Sequence, residues 1–310
     1  MIFLLSGLKG FNLLKSLDRS LVPSISAIIY DVDEKIANDY SKQILELSIN
    51  LGVEAKPWDK SLLNALKVEL VNKNIFCIAI GWRRLISGIE GRLIVLHDSL
   101  LPKYRGFAPT VAQLLVGERE IGVTAFWASD RYDEGDVIKM CKKSVNYPCK
   151  IKEAFDDISA CYKECVEYIM TLDQSAEKIS FTKQESLGSP SYSLWREEYD
   201  YFIDWEDSAD NIVRFIDAVS NPYDGAQFLM DGERYILNQG SVYNHEIKIE
   251  GNRQPGKIFK LTTSGPLVVA GEGIIIAKEI LRHDNRSEVS IKTLRKRLYK
   301  PTYHEFITFF

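Results

Sequence analysis

The sequence has few of the cysteines and histidines on which disulfide frameworks and metal sites depend, and its basic residues do not outnumber its acidic ones. Its 310 residues include five cysteines and four histidines, and the cysteines lack the paired spacing of a zinc site. Such scattered, odd-numbered cysteines favour a reducing compartment, so we expect a cytoplasmic protein. The formal net charge of −4 gives no general excess of basic residues, and nucleic acid is therefore not favoured as a partner.

Long hydrophobic runs are absent as well. No segment approaches the roughly 18 apolar residues that a membrane-spanning helix needs, so no membrane partner is expected. Residues 1–14 are apolar but lack the basic region and cleavage site of a signal peptide, and Lys9 interrupts them, which favours a buried first strand. Cys161 and Cys165 fall on the apolar stripe of a predicted helix, which favours core residues over metal ligands, and no metal is expected.

The signatures of several common enzyme classes are missing. The chain has no phosphate-binding Walker loop, no Gly-x-Gly-x-x-Gly run after the first strand, and no serine or cysteine in a nucleophile elbow. The turn SGLKGF at 6–11 has two glycines, but their spacing does not suit a dinucleotide. ATP and NAD are thus poorly supported.

The first half of the chain alternates short apolar runs with helical periodicity. Strands are predicted at 2–6, 24–32, 53–58, 75–82, 92–97, 121–129 and 136–145, and helices at 34–52, 61–74 and 150–172. This alternation predicts β-α-β units and an α/β domain with a mostly parallel, Rossmann-like sheet over residues 1–185. The polar stretch 173–192 is typical of a surface connection.

The second half is mostly β-rich. A helix is predicted at 204–220, with Asp204 or Ser208 as its N-cap. Short strands follow at 226–230, 234–244, 256–261, 266–271 and 273–280, with a closing helix near 289–299. The basic run KTLRKRLYK at 292–300 is interpreted as a solvated face of that helix. We expect a smaller, OB-like domain over residues 186–310.

One histidine has a context that indicates chemistry. His97 ends a predicted buried strand and precedes a loop stiffened by Pro102. Ligands of open α/β sheets bind at the carboxyl ends of strands, and we expect Asp133, which follows another strand, to meet His97 at that edge. A histidine beside a carboxylate suits proton removal from an attacking amine or stabilisation of an oxyanion.

Two stretches resemble the signature of the folate-dependent formyltransferases. They are HDSLLPKYRGFAP at 97–109 and GEREIGVTAFWASDRYDEGDVI at 117–138. The family pattern is Asn-x-His-x-Ser-Leu-Leu-Pro-x-Tyr/Trp-Arg-Gly, then Gly-Val-Thr, then Asp-x-Gly-x-Ile. A softer similarity over 195–280 links the chain to the C-terminal domains of methionyl-tRNA formyltransferases and nucleotide-sugar N-formyltransferases.

The resemblance implies a formyltransferase with N10-formyltetrahydrofolate as donor and a primary amine as acceptor. It identifies His97 and Asp133 as catalytic, whereas the family's asparagine position falls on Val95. Losing one donor to a developing oxyanion typically costs on the order of 10²–10³ in rate. Three explanations stay open: another donor replaces the amide, His97 carries the charge alone, or the fold keeps binding without transfer.

The resemblance also implies binding residues on two sides of the site. Those for the folate are Trp82, Arg83, Leu85, Asp130 and Gly135, and those for the acceptor are Ser99, Lys103, Tyr104, Arg105 and Gly106. Trp82 is equally interpretable as a core aromatic. Ser99 is also expected to fix its loop by hydrogen bonds to the backbone. Asp98 is interpreted either as an exposed loop residue or as a cap of the turn.

The acceptor expected from the resemblance is a nucleotide-linked amino sugar of surface polysaccharide (O-antigen) biosynthesis. The acidic composition and the lack of a basic insertion in the first domain count against tRNA. Methionyl-tRNA formyltransferase, formyltetrahydrofolate hydrolase and a non-catalytic relic that binds folate or a nucleotide sugar remain alternatives. A homodimer through the β-rich part is a further hypothesis.

Overall fold

The computed structural model describes residues 1–33, 38–84, 86–174, 179–245 and 247–309. The chain divides into two compact units, each assembled from separate segments. The first unit comprises 1–109, 120–144 and 156–193, and the second comprises 110–119, 145–155 and 194–310.

The first unit is built on a mostly parallel sheet, as expected. Its strands are β1 (Ile2–Leu5), β2 (Ala27–Tyr30), β3 (Ala55–Pro57), β4 (Cys77–Ile80), β5 (Leu93–His97), β6 (Arg105–Gly106), β7 (Glu120–Trp127), β8 (Val137–Ser144) and β9 (Tyr192–Ser193). Within the described ranges, seven of them form one sheet in the order β3-β2-β1-β4-β5-β7-β8. Strands β1 to β5 run parallel, whereas β7 is antiparallel to both β5 and β8.

Continuous apolar runs explain the burial of the central strands. Every residue of β1, β2 and β4 is buried, which is typical of parallel strands covered on both faces. The helices of the first half are α1 (Gly7–Ser16), α2 (Ser41–Asn50), α3 (Leu62–Asn72), α4 (Pro109–Val116) and α5 (Ile151–Gln174). Among the described helices, none is long and apolar enough to cross a membrane.

Helix α2 starts later than its periodicity predicted. Residues 34–37, where the predicted helix begins, lie outside the described residues. Tyr40 adopts a left-handed φ of +59°, which is incompatible with a continuing helix. The Asp39 carboxylate accepts hydrogen bonds from the backbone N–H and hydroxyl of Ser41, so the first helical turn forms at Ser41.

The second unit contains an antiparallel sheet. Its elements are α6 (Ala209–Ala218), β10 (Ala226–Met230), β11 (Glu233–Val242), β12 (Ile258–Thr262), β13 (Gly265–Val269), β14 (Ile274–Arg282) and α7 (Tyr303–Phe309). The strand order is β10-β11-β14-β13-β12. Ser208 is the N-cap of α6, and its hydroxyl accepts from the Asn211 N–H at 3.2 Å, which confirms one of the two predicted caps.

The closing helix predicted near 289–299 is wrong. Residues 294–295 form a bend, and the end of the segment pairs with the β-rich unit: the Leu298 N–H donates to Gly256 and the Tyr299 N–H donates to Leu229. Leu298 is buried between exposed Arg297 and Tyr299, which is the period-two pattern of a strand. Tyr299 therefore forms a bridge to Leu229 of β10, and Arg297 forms one to Lys257, just before β12. The last described helix is α7.

Candidate functional site

His97 and Asp133 meet, but not for the reason that the sequence indicated. Strand β7 is antiparallel to β5, so that Ile94 pairs with Trp127 while His97 pairs with Thr124. The carboxyl ends of β5 and β7 therefore lie at opposite ends of the strand pair. The loop after β7 instead returns along the sheet, which brings Asp133 to His97.

The contact between these two side chains is electrostatic rather than a full hydrogen bond. His97 Nδ1 lies 3.6 Å from Asp133 Oδ1, which exceeds hydrogen-bond range. The other carboxylate oxygen of Asp133 accepts from the Gly106 N–H at 2.9 Å. The Asp133 carboxylate is thus held by the backbone of the neighbouring loop while it faces the His97 ring.

The tautomer that a neutral His97 ring would adopt follows from its second partner. Nε2 lies 2.8 Å from the carbonyl oxygen of Tyr104. A carbonyl only accepts, so Nε2 carries the hydrogen and the lone pair of the neutral ring lies at Nδ1, towards Asp133. Tyr104 has a left-handed φ of +58°, and its N–H donates to Ser191 Oγ at 3.0 Å. The Ser193 hydroxyl donates to the same Tyr104 carbonyl at 3.3 Å.

Ser99 stabilises the loop between His97 and Tyr104. Its hydroxyl donates to the Lys103 carbonyl at 2.6 Å, as the loop-fixing interpretation predicted. The Thr124 hydroxyl donates to the Ser99 carbonyl at 2.6 Å and accepts from the Leu101 N–H at 3.0 Å. Ser99 is fully buried, and its contact with substrate stays a prediction.

Arg105 is engaged within the protein. Its guanidinium donates to Gln184 Oε1 at 2.8 and 3.3 Å and lies 3.1 Å from Glu134. Gln184 is buried although it belongs to the stretch predicted to be a surface connection. The Ser and Gln content that indicated a solvated linker instead supplies hydrogen bonds to the site, and nothing in the local sequence distinguishes the two cases.

Asp98 is buried, contrary to the expectation of an exposed loop residue. Its carboxylate accepts from the Lys9 ammonium of α1 and the Tyr162 hydroxyl of α5. Burial acts to raise the pKa of Asp98, but Lys9 and these hydrogen bonds outweigh it and hold the pKa below its usual value. Burial and the Asp98 carboxylate raise the pKa of the Tyr162 hydroxyl well above its ordinary range.

A cavity of about 110 Å³ opens beside Asp133. Its apolar lining comprises Ala79, Trp82, Ile86, Leu93, Val95, Phe126 and Ala128, and Arg83, Arg84, Ser129, Arg131 and Tyr132 complete it. Val95 thus faces the cavity from the position of the family's asparagine. Trp82 both lines the cavity and packs edge-on against Trp58 at 5.4 Å, and its contact with folate stays a prediction. Its indole N–H has no partner among the described residues.

The remaining predicted contacts are dispersed. Leu85 lies outside the described residues, and Asp130 and Lys103 are exposed. Gly135 packs so tightly that an added Cβ would lie 1.6 Å from the Trp127 carbonyl oxygen. Among the described residues, no group of His, Cys, Asp and Glu is arranged to hold a metal ion.

Several solved structures have a related fold. The N-formyltransferase of Helicobacter canadensis, solved with folinic acid and dTDP-3-aminofucose, is 16% identical with a TM-score of 0.66, covering 89% of this chain and 98% of that one. WlaRD, a sugar 3N-formyltransferase solved with dTDP and 5-N-formyl-THF, is 16% identical with a TM-score of 0.64, covering 89% and 96%. HypX of Aquifex aeolicus, solved with tetrahydrofolic acid, is 18% identical with a TM-score of 0.57, covering 95% and 46%.

Sequence relatives include two kinds of enzyme. The bifunctional polymyxin resistance protein ArnA of Wigglesworthia glossinidia brevipalpis is 30% identical over 56% of this chain and 25% of its own length. The methionyl-tRNA formyltransferase of Streptococcus agalactiae serotype III (strain NEM316) is 27% identical over 61% of this chain and 58% of its own length. The match thus spans less than two thirds of either relative.

Family matches fall on both halves of the sequence. Residues 53–155 match formyl transferase, and residues 197–297 match the formyl transferase C-terminal domain. The first match contains Val95, His97 and Asp133, and the second contains all five strands of the antiparallel sheet. The chain belongs to the formyltransferase family.

Proposed function

We propose that this protein transfers the formyl group of N10-formyltetrahydrofolate to the primary amine of a nucleotide-linked amino sugar. The observation that carries the proposal is the His97–Asp133 pair, whose aspartate lines an apolar cavity in a chain of the formyltransferase family. The likeness to two sugar N-formyltransferases extends over 89% of the chain, which supports an acceptor of that class.

The cavity suits one ring system of a folate. Its volume of about 110 Å³ is below the ~300–1,000 Å³ typical of pockets for whole ligands, so a folate would extend past the rim. The exposed side chains of Arg83, Arg84 and Arg131 contribute to the lining. Guanidinium groups there suit the carboxylates of a folate tail.

His97 acts as the base in this proposal. N10-formyltetrahydrofolate supplies the formyl group, to whose carbon the acceptor amine bonds. His97 Nδ1 takes the proton that the amine nitrogen loses, and Asp133 stabilises the imidazolium that results. His97 then returns that proton to the folate nitrogen as its bond to the formyl carbon breaks, so the products are the formamide and tetrahydrofolate.

A second candidate is formylation of methionyl-tRNA. The methionyl-tRNA formyltransferase relatives favour it, and so does the basic segment 292–300. Lys292, Arg295 and Arg297 are exposed on that segment, where they are accessible to a polyanion. The acidic chain as a whole favours the sugar.

A turnover assay distinguishes these functions. The protein is mixed with N10-formyltetrahydrofolate and a panel of dTDP- and UDP-linked 3-amino and 4-amino sugars, and tetrahydrofolate release is followed against a no-amine control. We expect release with at least one sugar and a loss of about 10²–10⁴-fold in His97→Ala. Release only with methionyl-tRNA would support the second candidate, and folate binding without release would indicate a non-catalytic protein.

We also propose domain boundaries, an oligomeric state and a cellular compartment for this protein. We propose a catalytic domain over 1–185, a C-terminal domain over 186–310, a homodimer through the β-rich part, and the cytoplasm as the compartment. Limited proteolysis is expected to cleave near the exposed residues 187–190. A monomer mass at every concentration in sedimentation would contradict the dimer.

A further inference from the structure

The segment after α5 supports both partners of His97. Gln184 is 3% exposed, and its amide reaches two loops. Its Nε2 donates to the carbonyl oxygens of Asp133 at 2.9 Å and Gly135 at 2.7 Å, while its Oε1 accepts from Arg105. One side chain thus connects the loop that carries Asp133 to the loop whose Tyr104 carbonyl binds His97.

The Asp133 loop needs such support because its backbone is strained. Asp133 has a left-handed φ of +56°, which a non-glycine residue keeps only when its surroundings hold it there. The two N–H groups of Gln184 donate to the carbonyls of Asp133 and Gly135, which directly follow the strained Asp133 Cα. The bond to the Gly135 carbonyl is buried and the bond to the Asp133 carbonyl is partly buried, so losing the two donors would leave these carbonyls to other partners.

We propose that Gln184 is a positioning residue that sets the Asp133 carboxylate against His97. Its side chain acts through the backbone of residues 133–135, and its contact with Arg105 is separable from that role. The catalytic consequence rests on the proposed formyl transfer, whereas the positioning itself is a property of the protein alone.

Two substitutions separate the contacts of Gln184. Gln184→Glu keeps an acceptor for Arg105 but removes the amide donors to residues 133 and 135. Gln184→Met removes both contacts. Gln227→Met is the matched control, because Gln227 is also fully buried and accepts from an arginine, Arg234 Nε at 2.9 Å, in the second unit.

The first readout needs no substrate. The Gly106 N–H donates to Asp133 Oδ2, so its hydrogen exchange, measured by NMR, reports the position of that carboxylate. We expect Gly106 exchange to accelerate about ten-fold in both Gln184 variants and to stay unchanged in Gln227→Met. Unchanged exchange in both Gln184 variants overturns the proposal, and so does acceleration in Gln184→Met alone, because the effect then runs through Arg105.

The second readout is a double-mutant cycle on turnover. We expect Gln184→Met to lower kcat about 10–100-fold with the folate KM within about two-fold. In an Asp133→Asn background the same change should cost less than about two-fold, because the group being positioned is already altered. Equal costs in both backgrounds contradict the proposal. If the unaltered protein turns over no acceptor, the proposed function fails, and Gly106 exchange alone decides the role of Gln184.

Discussion

Val95 lines the cavity two residues before His97. Its side chain is apolar, whereas the asparagine of the family pattern at this position could donate a hydrogen bond. Val95 pairs with Ala79 and Phe126 on the neighbouring strands, and all three line the cavity. Valine therefore contributes packing where the family pattern has an amide. In the proposed reaction, charge that develops on the formyl oxygen would therefore be stabilised by His97 or by another donor.

Restoring the amide should raise the rate. We expect Val95→Asn to increase kcat about ten-fold or more, because an added donor would act on the charged transition state. A modest loss of stability, about 1 kcal/mol, should accompany it because an amide replaces an apolar contact. The test measures steady-state turnover of Val95→Asn and of a control, Val95→Ala. The control opens space without adding a hydrogen-bond donor, so its kcat should not rise. An unchanged or lower kcat in Val95→Asn would mean that this position is remote from the reacting oxygen.

The carboxylate beside His97 has a structural role that can be measured separately. Asp98 binds Lys9 and Tyr162 in the buried region beneath the site. We expect Asp98→Asn to lower the free energy of unfolding by about 1–3 kcal/mol at pH 7, less than for a fully buried pair because Lys9 is partly exposed. Chemical denaturation measures the difference, and Asp156→Asn at an exposed position of α5 is the control.

The difference in unfolding free energy between Asp98→Asn and the unaltered protein should depend on pH, because the pKa of Asp98 is lowered. A depressed native pKa stabilises the fold above the unfolded value near 4, and this contribution disappears as the pH falls through the native pKa. The gap between Asp98→Asn and the unaltered protein should thus be constant near neutrality and narrow below about pH 4. A gap that persists in acid would show that packing, not charge, is responsible.

At the scale of elements, helix α6 contains a buried carboxyl with the opposite behaviour. Asp217 is buried near its end, and burial raises the pKa of Asp217 to about 6, with Lys150 lowering it and Glu153 raising it. Folding then favours the protonated form, so stability should fall as the pH rises from about 4 to about 6 and stay low above that.

Asp217→Asn removes this titration. We expect the melting temperature of Asp217→Asn to rise relative to the unaltered protein between pH 4 and pH 7, since only the unaltered chain then acquires a buried charge. Thermal melts across this range test it, with exposed Asp210→Asn of the same helix as control. Parallel pH curves for Asp217→Asn and the unaltered protein would contradict the raised pKa.

At the scale of the whole molecule, the reactivity of the cysteines tests whether the fold keeps reagents out of its interior. All five are free and buried, and burial raises the pKa of Cys165 to about 12. Because the thiolate is the reactive form, we expect almost no reaction of the native protein with a thiol-specific reagent and five reactive groups after unfolding. Ellman's assay with and without denaturant counts them, and rapid labelling of the native protein would show that a cysteine is accessible.

The sequence by itself determined the features that depend on local patterns. Apolar runs predicted the central strands, and helical periodicity predicted α5. Both signals depend only on the spacing of apolar residues along a short stretch of the chain. The Ser208 cap is equally local. The motif around His97 and Asp133 identified the family, since both residues lie at short, fixed distances from loop-forming Pro102 and Gly135.

Only the tertiary structure decided the pairings between distant segments. The antiparallel direction of β7, the bridges of Arg297 and Tyr299 in place of a helix, and the burial of Asp98 all depend on partners far along the chain. Gln184 is the clearest case: a polar residue between Lys183 and Glu185 predicts solvent exposure, yet hydrogen bonds to Arg105 and to residues 133 and 135 offset the cost of burying its amide. The residues next to Gln184 in the sequence do not indicate these partners, because the partners come into contact only when the sheet has formed.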